Sequence, residues 1–203
     1  MRKKSHIALS EYLAEEMHLE DLNIHRKAFC FGSILPDLNP KMLADPHEFN
    51  TSWDKVKSLI LQIEADAKSD DYNSRVMWRH IGVVLHYLAD YFTYPHNSSF
   101  EGSLKEHCLH ESELKYLLRA YLCTPEAAKV FDRQRLCARR IHTAQQLFDY
   151  IERIHDSYMS QSDHSVLSDC YWIVELCSLA GAVLASMVCG DEAPEAWMQL
   201  RLV

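Results

Sequence analysis

A chain of 203 residues, 48% of them hydrophobic, is long enough to bury one substantial core, and this composition excludes a disordered segment. Only 5 glycines and 6 prolines punctuate it and β-branched runs are absent, which points to an all-α chain of long regular elements. A formal net charge of −8 makes stable nucleic-acid binding unexpected, and an anionic membrane a poor partner, unless a metal supplies positive charge locally.

The start, MRKKSHIALSEYLAEEMHLED, has a basic tip but no apolar stretch, so it does not read as a signal peptide. The pattern predicts a first helix over Ile7 to His18 with Ser5 as N-cap, and a second from Leu22 to Leu35, stopped by Pro36. PDLNPKMLADPHEFN reads as loop, since its prolines and asparagines leave no room for a periodic element. A helix over Ser52 to Ala67, a turn at KSDDYN and a helix from Tyr72 to Thr93 follow, with Pro95 just beyond.

HNSSFEGS is a second loop, then a helix over Leu104 to Leu122 stops before Pro125. Two further helices are expected over Pro125 to Phe131 and Arg133 to Tyr158. Asp163 is the expected cap of a long apolar helix ending at Gly190, read as central and buried rather than membrane-spanning because Asp169 and Glu175 interrupt it. A short amphipathic helix over Pro194 to Leu200 closes the chain. The expectation is a multi-helix bundle forming one domain over residues 1–203. Seven cysteines, an odd number without a CxxC pair, fit reduced thiols in the cytoplasm better than a secreted disulfide scaffold.

Twelve histidines are more than an ordinary share. In HYLADYFTYPH, His86 and Asp90 stand four apart and project from one helix face, with His96 just past the helix end. HCLHE repeats the spacing with His107 and Glu111, and the first loop adds Asp37 and His47. Two readings stay open on spacing alone. The groups hold zinc, which takes imidazole nitrogen and carboxylate oxygen, or they pair with each other in a polar core.

SHIALSEYL, FGSILPDL, ADPHEF, LHYLADYFTYPH and HCLHE, spread in this order over residues 5 to 111, resemble the bacterial zinc-dependent phospholipases C of the alpha-toxin type, to which single-strand-specific zinc nucleases are related. The resemblance implies an all-helical bundle with two to three zinc ions in a cleft. It implies a phosphodiesterase that hydrolyses a phosphate ester, a phospholipid among the candidates, with metal-activated water. A nuclease- or nucleotidase-like hydrolase, or a metal-binding protein with little turnover, are the alternatives. Carried over residue by residue, Asp37, His47, His86 and Asp90 form one zinc site, and Asp37 doubles as general base. His96, His107 and Glu111 form a second, with His110 the alternative to His107. His6 joins Asp90 in a third, which relatives complete with a processed N-terminal tryptophan. Here Met1 to Ser5 precede His6 and no tryptophan is present, so that third site is the point of departure. The toxins also carry a C-terminal β-sandwich that docks on membranes, for which this chain is too short.

The remaining side chains carry blander expectations. His80 reads as packing. His18, His25, His142, His155 and His164 read as surface or interhelix residues, and Trp53, Trp78, Trp172, Tyr87 and Tyr94 as core. Arg133, Arg135, Arg139 and Arg140 read as a solvated face, and the cysteines as small buried hydrophobes.

Overall fold

The computed structural model describes residues 1–43, 46–69 and 73–190. Among these residues there are nine α-helices and no strand: α1 (Lys3–Met17), α2 (Glu20–Gly32), α3 (Pro40–Leu43), α4 (Phe49–Asp66), α5 (Ser74–Tyr91), α6 (Leu104–Leu122), α7 (Pro125–Ala138), α8 (Ala144–Ser160) and α9 (Val166–Cys189). A single 3-10 turn, Tyr94–His96, lies between α5 and α6.

α9 is the axis of the bundle, touching α1, α4, α5, α6, α7 and α8. Its length and composition would let it cross a membrane, but 72% of its most apolar window is buried inside the protein. Small residues at Ser178, Ala180, Gly181, Ala182 and Ala185 let its neighbours approach closely, and all five are buried. Asp169, which had counted against a membrane span, is fully buried and hydrogen-bonded rather than solvated.

α2 and α5 share the most extensive helix-to-helix contact, and two glycines permit it. A Cβ on Gly32 would lie 2.1 Å from the Arg79 carbonyl oxygen, and one on Gly82 would lie 2.2 Å from that of Phe29. Main chain therefore meets main chain, which only glycine allows here. At the far end of the pair, Trp78 Nε1–H donates to Asp21 Oδ2 at 2.7 Å. This grip fixes the C-terminal end of α2 beside the middle of α5, where the site is built.

Several boundaries differ from the sequence reading, for local reasons. α1 begins at Lys3, so Ser5 lies inside the helix, and Arg2 takes the N-cap position with no side-chain cap. The first loop contains the short α3, started by Pro40. α7 runs on through Asp132 to Ala138, and the break falls at Arg139 to Thr143 instead of near residue 132. Thr143 sets that break: its Oγ1 accepts from Gln146 N–H at 3.2 Å, while Gln146 Oε1 accepts from His142 N–H at 2.8 Å. α9 is capped by Ser165, whose Oγ accepts from Ser168 N–H at 3.2 Å; Asp163 caps the turn before it. The helix read over Pro194 to Leu200 and the centre of the turn at KSDDYN lie outside the described residues.

Candidate metal centre

α5 supplies the centre of the site. His86 and Asp90 are 0% and 1% exposed, so no bulk water satisfies them. His86 Nδ1–H donates to the Ser33 carbonyl oxygen at 2.8 Å, just past the end of α2. That bond fixes the tautomer and leaves the Nε2 lone pair aimed at the site.

α5 ends at Tyr91, and the chain doubles back through the 3-10 turn. Thr93 Oγ1–H donates to the Ala89 carbonyl at 3.0 Å, and Asn97 Nδ2 donates to the carbonyls of Tyr91 and Thr93, both at 3.1 Å. These bonds hold His96 beside Asp90. α6 then starts at a reciprocal capping box between Ser103 and Glu106, which sets the helical phase and turns His107 and Glu111 inward. His6 comes from α1, and Asp37 and His47 from the segments flanking α3.

Three groups of donor atoms result, each with all its atoms within 4.8 Å of one another: His6, Asp37 and His86; His47, His86 and Asp90; His96, His107 and Glu111. Together these groups comprise the eight residues expected from the sequence. Six of them, Asp37, His47, Asp90, His96, His107 and Glu111, line one cleft of about 870 Å³, and the buried pair His6 and His86 stack face to face with centroids 3.9 Å apart.

The spacing fits zinc. Ligand atoms about 2.0–2.1 Å from a tetrahedral ion lie about 3.3 Å from one another. His86 Nε2, His47 Nδ1 and Asp90 Oδ2 form a triangle with edges of 3.1, 3.0 and 3.3 Å. In the second group His96 Nε2 and His107 Nε2 lie 3.2 and 3.5 Å from Glu111 Oε1. Asp37 Oδ1 stands further off, 3.9 Å from His86 Nε2. His6 Nε2 is 3.3 Å from Asp90 Oδ1 yet makes no hydrogen bond, and His47 Nε2 is likewise buried without a partner. Buried imidazoles held this way are costly in a merely polar core and ordinary around a cation.

The electrostatics point the same way. Burial, reinforced by His86, pushes the His6 imidazole down to about 3, so it is neutral at pH 7. His107 is lowered too, by burial and by His96. Burial works against the Asp90 charge, but the Met1 ammonium, His96, His6 and His86 outweigh it and hold the carboxyl well below its ordinary value. Burial likewise opposes the Glu111 charge, and its bond to His96 with the Met1 ammonium brings it down to about 2. Neutral imidazoles and ionised carboxylates are the protonation states a divalent cation requires. His47 and the Met1 ammonium run the other way: burial lowers each, and Asp90 more than compensates, so the Met1 nitrogen has to release its proton before it can bind a cation.

One participant has no side-chain signature in the sequence. The amino nitrogen of Met1 sits against Asp90 Oδ1, 3.1 Å from His96 Nε2 and 3.3 Å from Glu111 Oε1. Methionine here stands where the resemblance would put tryptophan, and its buried amine reaches the heart of the cluster.

His110 points away from the cleft and bonds Asp169 at 2.7 Å. Trp53 and Trp78 are core, as is Tyr87, while Trp172 and Tyr94 are half-buried. His155 is more buried than expected, 7% exposed and stacked on Phe49 at 3.9 Å. Arg135 is buried against Phe131 and Asp132 rather than solvated, and Arg133 pairs with Glu175 at 2.5 Å. Cys170 and Cys177 are buried, but Cys108 and Cys123 are exposed, because they fall on the outer faces of α6 and its C-terminus.

A family model described as zinc dependent phospholipase C matches residues 5–165, a span that contains all eight side chains of the cluster. No curated protein matches the chain, and no solved structure does.

Proposed function

The chain belongs to the zinc-dependent phospholipase C family, and from that membership we propose a metal-dependent phosphodiesterase that cleaves a phosphate ester in the cleft between α1, α5 and α6. The observation that carries this reading is the convergence of the three donor groups at zinc-like spacing in one open cleft.

His47, His86 and Asp90 would hold one ion, with Asp37 reaching it from the group it forms with His6 and His86, and His96, His107 and Glu111 would hold a second. His6, Asp90 and the Met1 amine are the groups available to a third. When bound, zinc supplies a Lewis acid at the phosphoryl oxygens and a water that is nucleophilic near neutral pH.

The protein's own part is positioning and proton handling. Asp90 is enclosed and fully engaged by basic groups, so it carries charge but cannot cycle a proton readily. Asp37 lines the cleft, is 16% exposed, and has no nitrogen nearer than the 3.9 Å His86 contact among the described ion pairs. It is therefore the carboxylate suited to take the proton of the attacking water at its Oδ1 or Oδ2. The Ser33 carbonyl keeps the His86 ring from turning while this happens.

The nuclease reading has less support. Base recognition in single strands uses aromatic platforms, and the described lining of the cleft includes no Phe, Tyr or Trp.

The test is zinc content by mass spectrometry on protein purified without chelator, together with turnover of bis-p-nitrophenyl phosphate. Bound zinc with turnover is expected. His86→Ala should lose at least one equivalent of zinc, and Asp37→Asn should lower kcat by about 10²–10⁴, the usual worth of a positioned base. Protein that takes up no zinc from micromolar solution would end this reading, and zinc-replete protein without turnover would favour the binding-protein alternative.

A further inference from the structure

We propose that Arg2, Lys3, Lys4 and Lys115 form a cationic collar at the mouth of the cleft, which selects phosphodiesters whose alcohol portion carries a second phosphate over zwitterionic or neutral ones. This rests on the phosphodiesterase reading and names its substrate class.

All four side chains line the cleft that holds the donor cluster. Outside that cluster, the described lining offers one opposing carboxylate, Glu48. The cluster itself adds Asp37, Asp90 and Glu111 to the lining, so once cations bound there balance these three, four basic side chains face one carboxylate on a protein whose formal charge is −8. The excess is therefore local and sits on the approach to the site, where a field of one sign raises both encounter rate and affinity for an oppositely charged ligand.

The chain builds this rim deliberately. With the Met1 amine deep in the cluster, the next three residues emerge at the edge of the cleft. Arg2 is anchored there: its Nη2 donates to the Cys108 carbonyl at 2.9 Å, and its Nε lies 3.9 Å from Glu111 Oε2. Lys3 and Lys4 are exposed in the first turn of α1, which holds no acidic residue. Cations there oppose the helix dipole and weaken the helix. Lys115 is one turn beyond Glu111 and two beyond His107 on the same face of α6. Its ammonium lies 4.0 Å over the Tyr116 ring, which steadies the head group at the rim. Among the described residues, Lys3, Lys4 and Lys115 have no ion pair, so their charge is available.

A choline-like group would fare badly in this mouth. It would meet like charge at the collar, and quaternary ammonium groups are held by aromatic faces, which the described lining does not provide. A second phosphate instead meets charge-assisted donors on both sides of the cleft.

The experiment compares three p-nitrophenyl substrates on zinc-loaded protein: bis-p-nitrophenyl phosphate, p-nitrophenyl phosphorylcholine and the p-nitrophenyl ester of glycerol bisphosphate. The bisphosphate ester is expected to show a kcat/KM about tenfold or more above the choline ester, an advantage that shrinks as salt rises from 0.15 to 0.5 M. Lys4→Glu combined with Lys115→Glu should erase about tenfold of that preference, mainly through KM, while zinc content is kept. Both side chains reach solvent, so the variant should fold, and its thermal melt verifies this. Vesicles of phosphatidylcholine with and without cardiolipin, whose head group carries a second phosphate, separate a lipid source from a soluble one. Equal kcat/KM on the choline and bisphosphate esters, with bis-p-nitrophenyl phosphate still hydrolysed, would overturn the collar and leave the phosphodiesterase reading intact. Should no ester be hydrolysed, that reading fails and calorimetry decides the collar. Glycerol bisphosphate binding more tightly than phosphorylcholine, with the gap lost in the double variant, upholds it; equal binding overturns it.

Discussion

His110 Nε2–H donates to Asp169 Oδ2 at 2.7 Å, and this pairing removes His110 from the cleft that His107 and Glu111 face. Asp169 does more than hold one ring. Its Oδ1 accepts from the Tyr158 hydroxyl at 2.8 Å, and its Oδ2 also accepts from the Tyr94 N–H at 2.9 Å. One fully buried carboxylate on α9 thus ties together α6, α8 and the 3-10 turn that carries His96.

Asp169→Ala should therefore cost about 3 kcal/mol or more of stability, because one buried and two part-buried donors lose their acceptor at once. It should also weaken zinc binding by loosening His96 and Glu111 without touching either. Asp169→Asn keeps the shape and one acceptor and should fall between. Urea unfolding and zinc titration check this pair of effects. An alanine variant with unchanged zinc affinity would show that the turn is held without α9.

His107→Ala and His110→Ala separate the two histidines of HCLHE by what they do to metal content. The first removes a donor 3.5 Å from Glu111 Oε1 and should lower zinc stoichiometry by up to one equivalent. The second should leave stoichiometry intact and lower stability by about 1–2 kcal/mol, the worth of a buried charge-assisted bond. Elemental analysis of both variants reads the difference, and the reverse pattern would make His110 the ligand.

The close contact of α2 and α5 predicts a sensitive glycine. Gly82→Ala puts a methyl 2.2 Å from the Phe29 carbonyl oxygen and 2.9 Å from Ser33 N, both main-chain atoms that cannot swing aside. The helices must separate, at a cost of at least about 1–3 kcal/mol. Separation also stretches the bond from His86 Nδ1 to Ser33 O, so zinc affinity should fall along with stability. Wild-type stability in this variant, measured by denaturant unfolding, would refute the contact.

Much of this was legible in the chain because it follows from local geometry. His86 with Asp90 and His107 with Glu111 share faces by helical spacing alone, and α6 has the bounds its pattern predicted because Ser103 and Glu106 form a capping box. The break between α7 and α8 was missed because Arg139 and Arg140 favour helix and no glycine or proline marks the spot. The marker was Thr143 with Gln146, a cap that reads as ordinary polar sequence until its bonds are seen. The fate of His110 was illegible for another reason. Asp169 is 59 residues away, and only the packing of α6 on α9 brings the two together. The Met1 amine escaped because a main-chain group has no residue type to announce it.

His155, which is not among the donor groups, predicts a pH dependence that can be read with the metal removed. Its ring stacks on Phe49, and its Nε2–H donates to Asn97 Oδ1 at 3.2 Å. Burial pushes this imidazole from 6.5 down to about 4. The folded state thus resists a proton that the unfolded chain accepts, so this residue's contribution to stability is complete above pH 6.5. As pH falls from 6.5 toward 4, the unfolded state binds more protons and the contribution is lost. At about 1.4 kcal/mol per pH unit the loss totals on the order of 3 kcal/mol, levelling off below pH 4. His155→Phe keeps a ring on Phe49, removes the titration and leaves Asn97 Oδ1 unpaired. At pH 7 the variant should be less stable than wild type by about 1 kcal/mol. By pH 4 the gap should close or reverse, since only the wild type has lost the histidine contribution. Urea unfolding of both proteins in chelator between pH 4 and 7 reads the difference, with all other titrations common to the pair. A gap that stays constant over that range would mean that His155 accepts its proton in the folded protein as easily as in the unfolded one.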